Sequence, residues 1–95
     1  MEITVRFTGA LRSLAGQSKL DLSLDIGATV RNALIALGDI LPPAFTEQVL
    51  RPLTGGDPPL ALLLVNRTHL SGPEGLNSSL MDGDVVAFVT PMEGG

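Results

Sequence analysis

The last two residues, Gly94 and Gly95, carry the group in this chain best suited to chemistry. A terminal glycine presents its α-carboxylate with no Cβ beside it. A second glycine before it lets the backbone take almost any φ/ψ. The segment Pro91-Met92-Glu93-Gly94-Gly95 could thus thread a narrow channel and offer one reactive carboxylate at its far end. Two final glycines arise by chance in roughly one chain in two hundred. Alone they decide little, and the elements that precede them must carry the argument.

The remaining reactive side chains are sparse. His69 is the sole histidine and has no cysteine or evident acidic companion, so a solvated residue on a short strand or turn is the expectation. Asp82 and Asp84 flank Gly83 as ordinary turn residues, with too few further ligands for a metal site. Lys19 is the sole lysine and reads as one exposed charge on a strand. Gly55-Gly56 lacks the Lys-Ser/Thr of a phosphate loop. The chain has no cysteine, hence no disulfide, thiolate metal site or thiol nucleophile of its own. Any sulfur chemistry must therefore involve a terminus or a partner.

Composition narrows the classes further. Ninety-five residues suffice for one domain with its own core. A net charge of −4 argues against nucleic acid, which demands a basic footprint. Met1 leads straight into an alternating strand, so no signal peptide is expected. The apolar run Leu60–Val65 is far too short to span a bilayer. The expectation is a cytoplasmic protein that binds neither membrane nor nucleic acid. The sequons at Asn66 and Asn77 read as turn asparagines.

Hydrophobic spacing supplies the elements. Ile3, Val5 and Phe7 alternate with Glu2, Thr4 and Arg6, which predicts a half-buried strand over 2–8. Ala10–Ala15 predicts a short helix closed by Gly16. Leu20, Leu22, Leu24 and Ile26 alternate with Lys19, Asp21, Ser23 and Asp25, a second strand antiparallel to the first. Thr29 suits an N-cap, and Val30, Ala33, Leu34 and Leu37 follow at helical spacing. Gly38 is expected to end that helix, with Pro42-Pro43 barring resumption. A short helix over 44–50 and a surface loop over 53–59 come next. Leu60–Val65 then predicts a strand, Asn66-Arg67 a two-residue turn and Thr68–Leu70 a short return strand. Residues 72–79 read as loop, Asp82-Gly83 as a turn and Val85–Val89 as the last strand.

The order strand, strand, helix, strand, short strand, strand fits a mixed five-stranded sheet with one main helix across one face. That is an α+β arrangement of the β-grasp (ubiquitin-like) kind; a doubly wound βαβ sheet would need more substantial helices. One helix covers only one face of a sheet, yet Val85–Val89 is apolar on both. Some of Val85, Ala87 and Val89 should stay partly exposed and form a partner surface.

The chain resembles the MoaD/ThiS-type sulfur carriers. The resemblance rests on Val5–Gly16, on Ala28–Leu34, on Val65-Asn66-Arg67 and above all on Leu80–Gly95, with its Asp-Gly-Asp turn, strand, proline and Gly-Gly. It implies one β-grasp sulfur-carrier domain over 1–95 with a flexible tail over 90–95. It further implies that an E1-like enzyme adenylates Gly95 with ATP, and that a sulfur donor, a sulfurtransferase or desulfurase, then converts it to a thiocarboxylate. Gly94 would keep the approach narrow, and residues 91–95, if extended, reach about 17 Å. The implied partner surface comprises Thr8, Phe88, Val89, Thr90, Pro91, Met92 and Glu93, with no catalytic residue, bound cofactor or metal of the chain's own. The pathway implied first is molybdopterin synthesis, the chain serving as small subunit beside a large subunit of molybdopterin synthase. Protein modification through an isopeptide bond, sulfur supply for cysteine, thiamine or tRNA thiolation, and a purely structural binding module are the alternatives. Thr8 and Val89 stand where relatives often carry a second aromatic, and Thr90-Pro91 where two prolines are common. Extra residues around 41–59 make the chain longer than the shortest carriers of thiamine synthesis, and its length and the loop 72–80 look more like the archaeal-type molybdopterin carriers, small modifiers and cysteine-synthesis carriers.

Overall fold

Strand β1 (Glu2–Phe7) lies inside the sheet, with a neighbour on each side. On one side it pairs antiparallel with β2 (Lys19–Ser23), and on the other it runs parallel to β5 (Val85–Val89). The computed structural model describes residues 1–55, 61–70 and 72–90. Strands β3 (Leu62–Val65) and β4 (Thr68–Leu70) complete a five-stranded mixed sheet in the order β2-β1-β5-β3-β4. Helix α1 (Ala10–Ala15) bridges β1 and β2. The main helix, α2 (Val30–Ile40), connects β2 to the second half of the sheet.

The face of α2 read from spacing is the face that is buried: Val30, Ala33, Leu34 and Leu37. Its start is held by a capping box. The Thr29 hydroxyl accepts from the Asn32 N–H, while the Asn32 carboxamide oxygen accepts from the Thr29 N–H. Under the helix lie Ile3, Val5 and Phe7 of β1, Leu22 of β2, Leu63 of β3, and Val86 and Phe88 of β5.

The chain has three phenylalanines and no tryptophan or tyrosine. All three meet in the core. Phe7 and Phe88 stack with centroids 5.6 Å apart, and Phe45 sets its edge against both at 5.3 and 5.4 Å.

Several boundaries differ from the sequence expectation. Helix α2 does not stop at Gly38, because the Leu41 N–H still bonds the Leu37 carbonyl. It stops at Ile40: Leu41 precedes Pro42 and is extended, at φ −85° and ψ 160°. The short helix expected over 44–50 is longer and irregular, running as α3 (Pro43–Phe45), a π-helical turn (Thr46–Leu50) and α4 (Arg51–Gly55). Residues 53–55 therefore belong to a helix, and 56–60 lie outside the described residues. Part of the stretch 72–79 is also helical, as α5 (Gly72–Leu76). Its sequence, GPEGL, is poor in helix formers, so propensity hid it.

Strand β2 is shorter than the alternation over 19–26. Beyond Leu24, the Ala28 N–H bonds the Asp25 carbonyl and Gly27 takes φ +89°, which turns the chain away and leaves Ile26 92% exposed. No described helix is long and apolar enough to cross a membrane.

Candidate functional site

Strand β5 delivers the chain toward its last residues, and both of its ends are fixed. At its start, Gly83 takes φ +87°, a left-handed conformation that glycine adopts without strain. The Gly83 N–H bonds the Glu2 carbonyl, and the Asp82 carboxylate accepts from the Glu2 N–H at 2.8 Å. The Asp84 carboxylate accepts from the Met81 N–H and from the Asn66 side-chain amide. These bonds make Asp82 and Asp84 structural anchors of the turn, as their spacing suggested.

Asn66 does more than make a turn. With Arg67 it forms the two-residue connection between β3 and β4, both residues at positive φ, 49° and 73°. Its carboxamide oxygen also accepts from the Val85 N–H, and its own N–H bonds the Val85 carbonyl. One side chain thus ties the β3–β4 turn to the first residue of β5. A sequence reading finds the turn but not the clamp, because the partners lie far along the chain.

At the other end of β5, the Thr8 N–H and the Thr8 hydroxyl both donate to the Phe88 carbonyl, at 3.2 and 3.3 Å. Thr8 is half-buried, as are Val89 and Thr90. Phe88 is a correction to the expected partner surface. Its side chain is 0% exposed, within the phenylalanine cluster, so it cannot contribute its ring to a docking face. Strand parity is the reason: Val86 and Phe88 point under α2, and Val85, Ala87 and Val89 point the other way. Pro91, Met92, Glu93, Gly94 and Gly95 lie outside the described residues.

That opposite face is apolar and only half covered. Val85, Ala87 and Val89 of β5 and Leu62 and Leu64 of β3 are all half-buried. Registers place them side by side: Leu62 beside Val89, Leu64 beside Ala87. The row continues to Arg6 on one side of Ala87 and to His69 on the other side of Leu64. Arg6 and His69 are exposed, so a narrow apolar strip is bordered by polar groups. Its expectation from sequence, that the outward residues of the last strand stay partly open, matches the structure. His69 is an exposed strand residue on the rim of this strip, with no cluster of three metal-ligating residues anywhere among the described residues. The strip can bind a partner by apolar contact, but among the described residues nothing on it is arranged as a nucleophile with a base.

Comparison with known proteins bears on the family and the fold. A family model described as ThiS family matches residues 5–95. Searched by sequence against curated proteins, the chain finds no match. Among solved structures it is similar to Urm1 from Trypanosoma brucei, at 28% identity and TM-score 0.74, over 99% of this chain and 95% of that one. It is also similar to small archaeal modifier protein 1 from Methanosarcina acetivorans, at 26% identity and TM-score 0.70, over 99% and 96%. A third is a protein from Pyrococcus furiosus described as a candidate molybdopterin converting factor subunit 1, at 25% identity and TM-score 0.75, over 96% and 98%.

Proposed function

The chain belongs to the ThiS family of ubiquitin-like proteins, and from that premise we propose that it carries sulfur on the α-carboxylate of Gly95. The observation that carries this reading is the reach of the family match, which continues past β5 to Gly95 itself. The chemistry is coherent. An α-carboxylate with pKa near about 3.5 is ionised at neutral pH and is a poor electrophile. Its oxygen attacks the α-phosphorus of ATP on an E1-like enzyme, pyrophosphate leaves, and the acyl adenylate now has AMP as a leaving group. Hydrosulfide from the sulfur donor displaces AMP and leaves the thiocarboxylate; where the donor presents a persulfide, that persulfide displaces AMP and a thiol reductant then splits the resulting acyl disulfide to the thiocarboxylate. The chain supplies the carboxylate and a docking face, and its partners supply the catalysis.

The recipient proposed first is the molybdopterin precursor, precursor Z (cyclic pyranopterin monophosphate), bound by a molybdopterin synthase large subunit. The similarity to a candidate molybdopterin converting factor subunit 1 supports this choice, since "subunit 1" describes one part of an assembly. In that assembly the half-buried strip of β3 and β5 packs against the large subunit, and residues 91–95 carry Gly95 into its active site. Modification of other proteins through Gly95 is the second reading, favoured by the similarity to small archaeal modifier protein 1.

Thiocarboxylated protein mixed with a molybdopterin synthase large subunit and precursor Z separates the two. Conversion of the precursor to a sulfur-containing product, with return of the carrier to the carboxylate, supports the first reading. An inert mixture, together with isopeptide adducts on lysines of other proteins when the activating enzyme and ATP are supplied, transfers the assignment to the second.

A further inference from the structure

One row of outward residues crosses the whole sheet, and it carries two cations side by side. From β2 to β4 the row runs Lys19, Arg6, Ala87, Leu64 and His69. Arg6 and Lys19 stand directly opposite one another on the antiparallel pair of β1 and β2, and both are exposed. Like charges so placed repel and cost stability. Acidic side chains outnumber basic ones in this chain by ten to six, yet neither cation makes an ion pair among the described residues. The outward carboxylates of the same two strands are turned to other groups. Asp21 accepts from the Thr4 hydroxyl at 3.5 Å, and Glu2 accepts from the Ser23 hydroxyl.

We propose that Arg6 and Lys19 together receive a carboxylate of the E1-like activating enzyme, and so fix which way round that enzyme sits on the apolar strip of β3 and β5. The fit is one of charge and placement. The half-buried residues of the strip offer burial but no direction, because apolar contact is non-directional. A carboxylate set between the two cations removes their repulsion and accepts charge-assisted hydrogen bonds from a guanidinium and an ammonium. Arg6 is the immediate neighbour of Ala87, so a surface that covers Ala87 and Leu64 meets the cations without rearrangement. The chain's net charge of −4 repels a broadly acidic partner. The partner surface is therefore a local one, an apolar patch with a carboxylate on one border. Both readings of the function proposed above require activation of Gly95, and it is on that step that the contact rests.

Adenylation of the full chain by its cognate E1-like enzyme, followed by ATP–pyrophosphate exchange at increasing carrier concentration, tests it. Arg6→Glu and Lys19→Glu should each raise the KM for the carrier on the order of tenfold and leave kcat in place. Arg51→Glu makes the same charge change on α4 and should alter neither constant. The wild-type KM should rise between about 0.05 and 0.5 M NaCl, and the doubly neutral Arg6→Gln, Lys19→Gln chain should lose most of that dependence. Lys19→Gln alone relieves the repulsion, so it should raise the KM about threefold without lowering the urea midpoint; this keeps the test intact if a charge reversal unfolds the chain. Wild-type kinetics in the Arg6 and Lys19 variants, an equal KM rise in Arg51→Glu, or a lost kcat at constant KM overturns the contact while leaving activation of Gly95 standing. A wild-type chain that the enzyme does not adenylate overturns both.

Discussion

Val86 and Phe88 belong to the same five-residue strand as Val85, Ala87 and Val89, yet the two sets meet different surroundings. The first set is fully buried under α2 and against the other two phenylalanines. The second set is as apolar but lies on the opposite face of the sheet from α2, and stays half-buried. Burying the inner set stabilises the fold. Leaving the outer set open adds nothing comparable, and this half-buried apolar strip is the docking face proposed above. The strand that anchors the core would thus also present that face and lead toward Gly95.

The difference can be broken by mutation. Phe88→Ala empties the centre of the phenylalanine cluster and should cost about 3–5 kcal/mol of folding stability. A urea midpoint that does not move would place Phe88 outside the core and collapse the contrast between the two faces. Leu34→Ala, on the covering helix, should cost about 2–5 kcal/mol by the same cavity argument, read from the same measurement. Ala87→Glu, on the open face, should change stability by less than about 1 kcal/mol. It should nonetheless weaken binding of the large subunit or the activating enzyme, measured by calorimetric titration. If Ala87→Glu leaves binding intact, or unfolds the protein as Phe88→Ala does, the outer strip is not a docking face.

How much of this was legible in the sequence depends on how local the cause is. The buried stripe of α2 follows from spacing alone, and so does the paired turn at Asn66-Arg67, where asparagine tolerates positive φ. Strand β5 was legible as a strand with Val85, Ala87 and Val89 outward, and only the family likeness set Phe88 on the partner surface. In Val-Val-Ala-Phe-Val both parities are apolar, so spacing alone does not say how deeply Phe88 is buried. Its burial is set by Phe7 and Phe45, distant in sequence, which together receive its ring. The same distance hid the Asn66 bonds to Asp84 and Val85, and the Thr8 bonds to the Phe88 carbonyl. Helix α5 was hidden for another reason: its glycines and proline argue against helix locally. Ile26 fitted the alternation of β2 but is turned out by the backbone at Gly27. Of the candidate site, the apolar outer residues of β5 were readable because one helix cannot cover two faces. The chemistry at Gly95 was read from residue type and family likeness.

The central claim is that the Gly95 α-carboxylate is the group that takes sulfur, and intact-mass spectrometry tests it most directly. The protein is incubated with an E1-like activating enzyme, ATP and a sulfur donor, and the fragment ending in Gly95 is then sequenced by mass. The account predicts a mass gain equal to replacement of one oxygen by sulfur, located on Gly95, dependent on ATP, and absent when Gly95 is deleted from an otherwise stably folded chain. An unchanged mass in the wild type with an active enzyme, or sulfur found on any other residue, would contradict it.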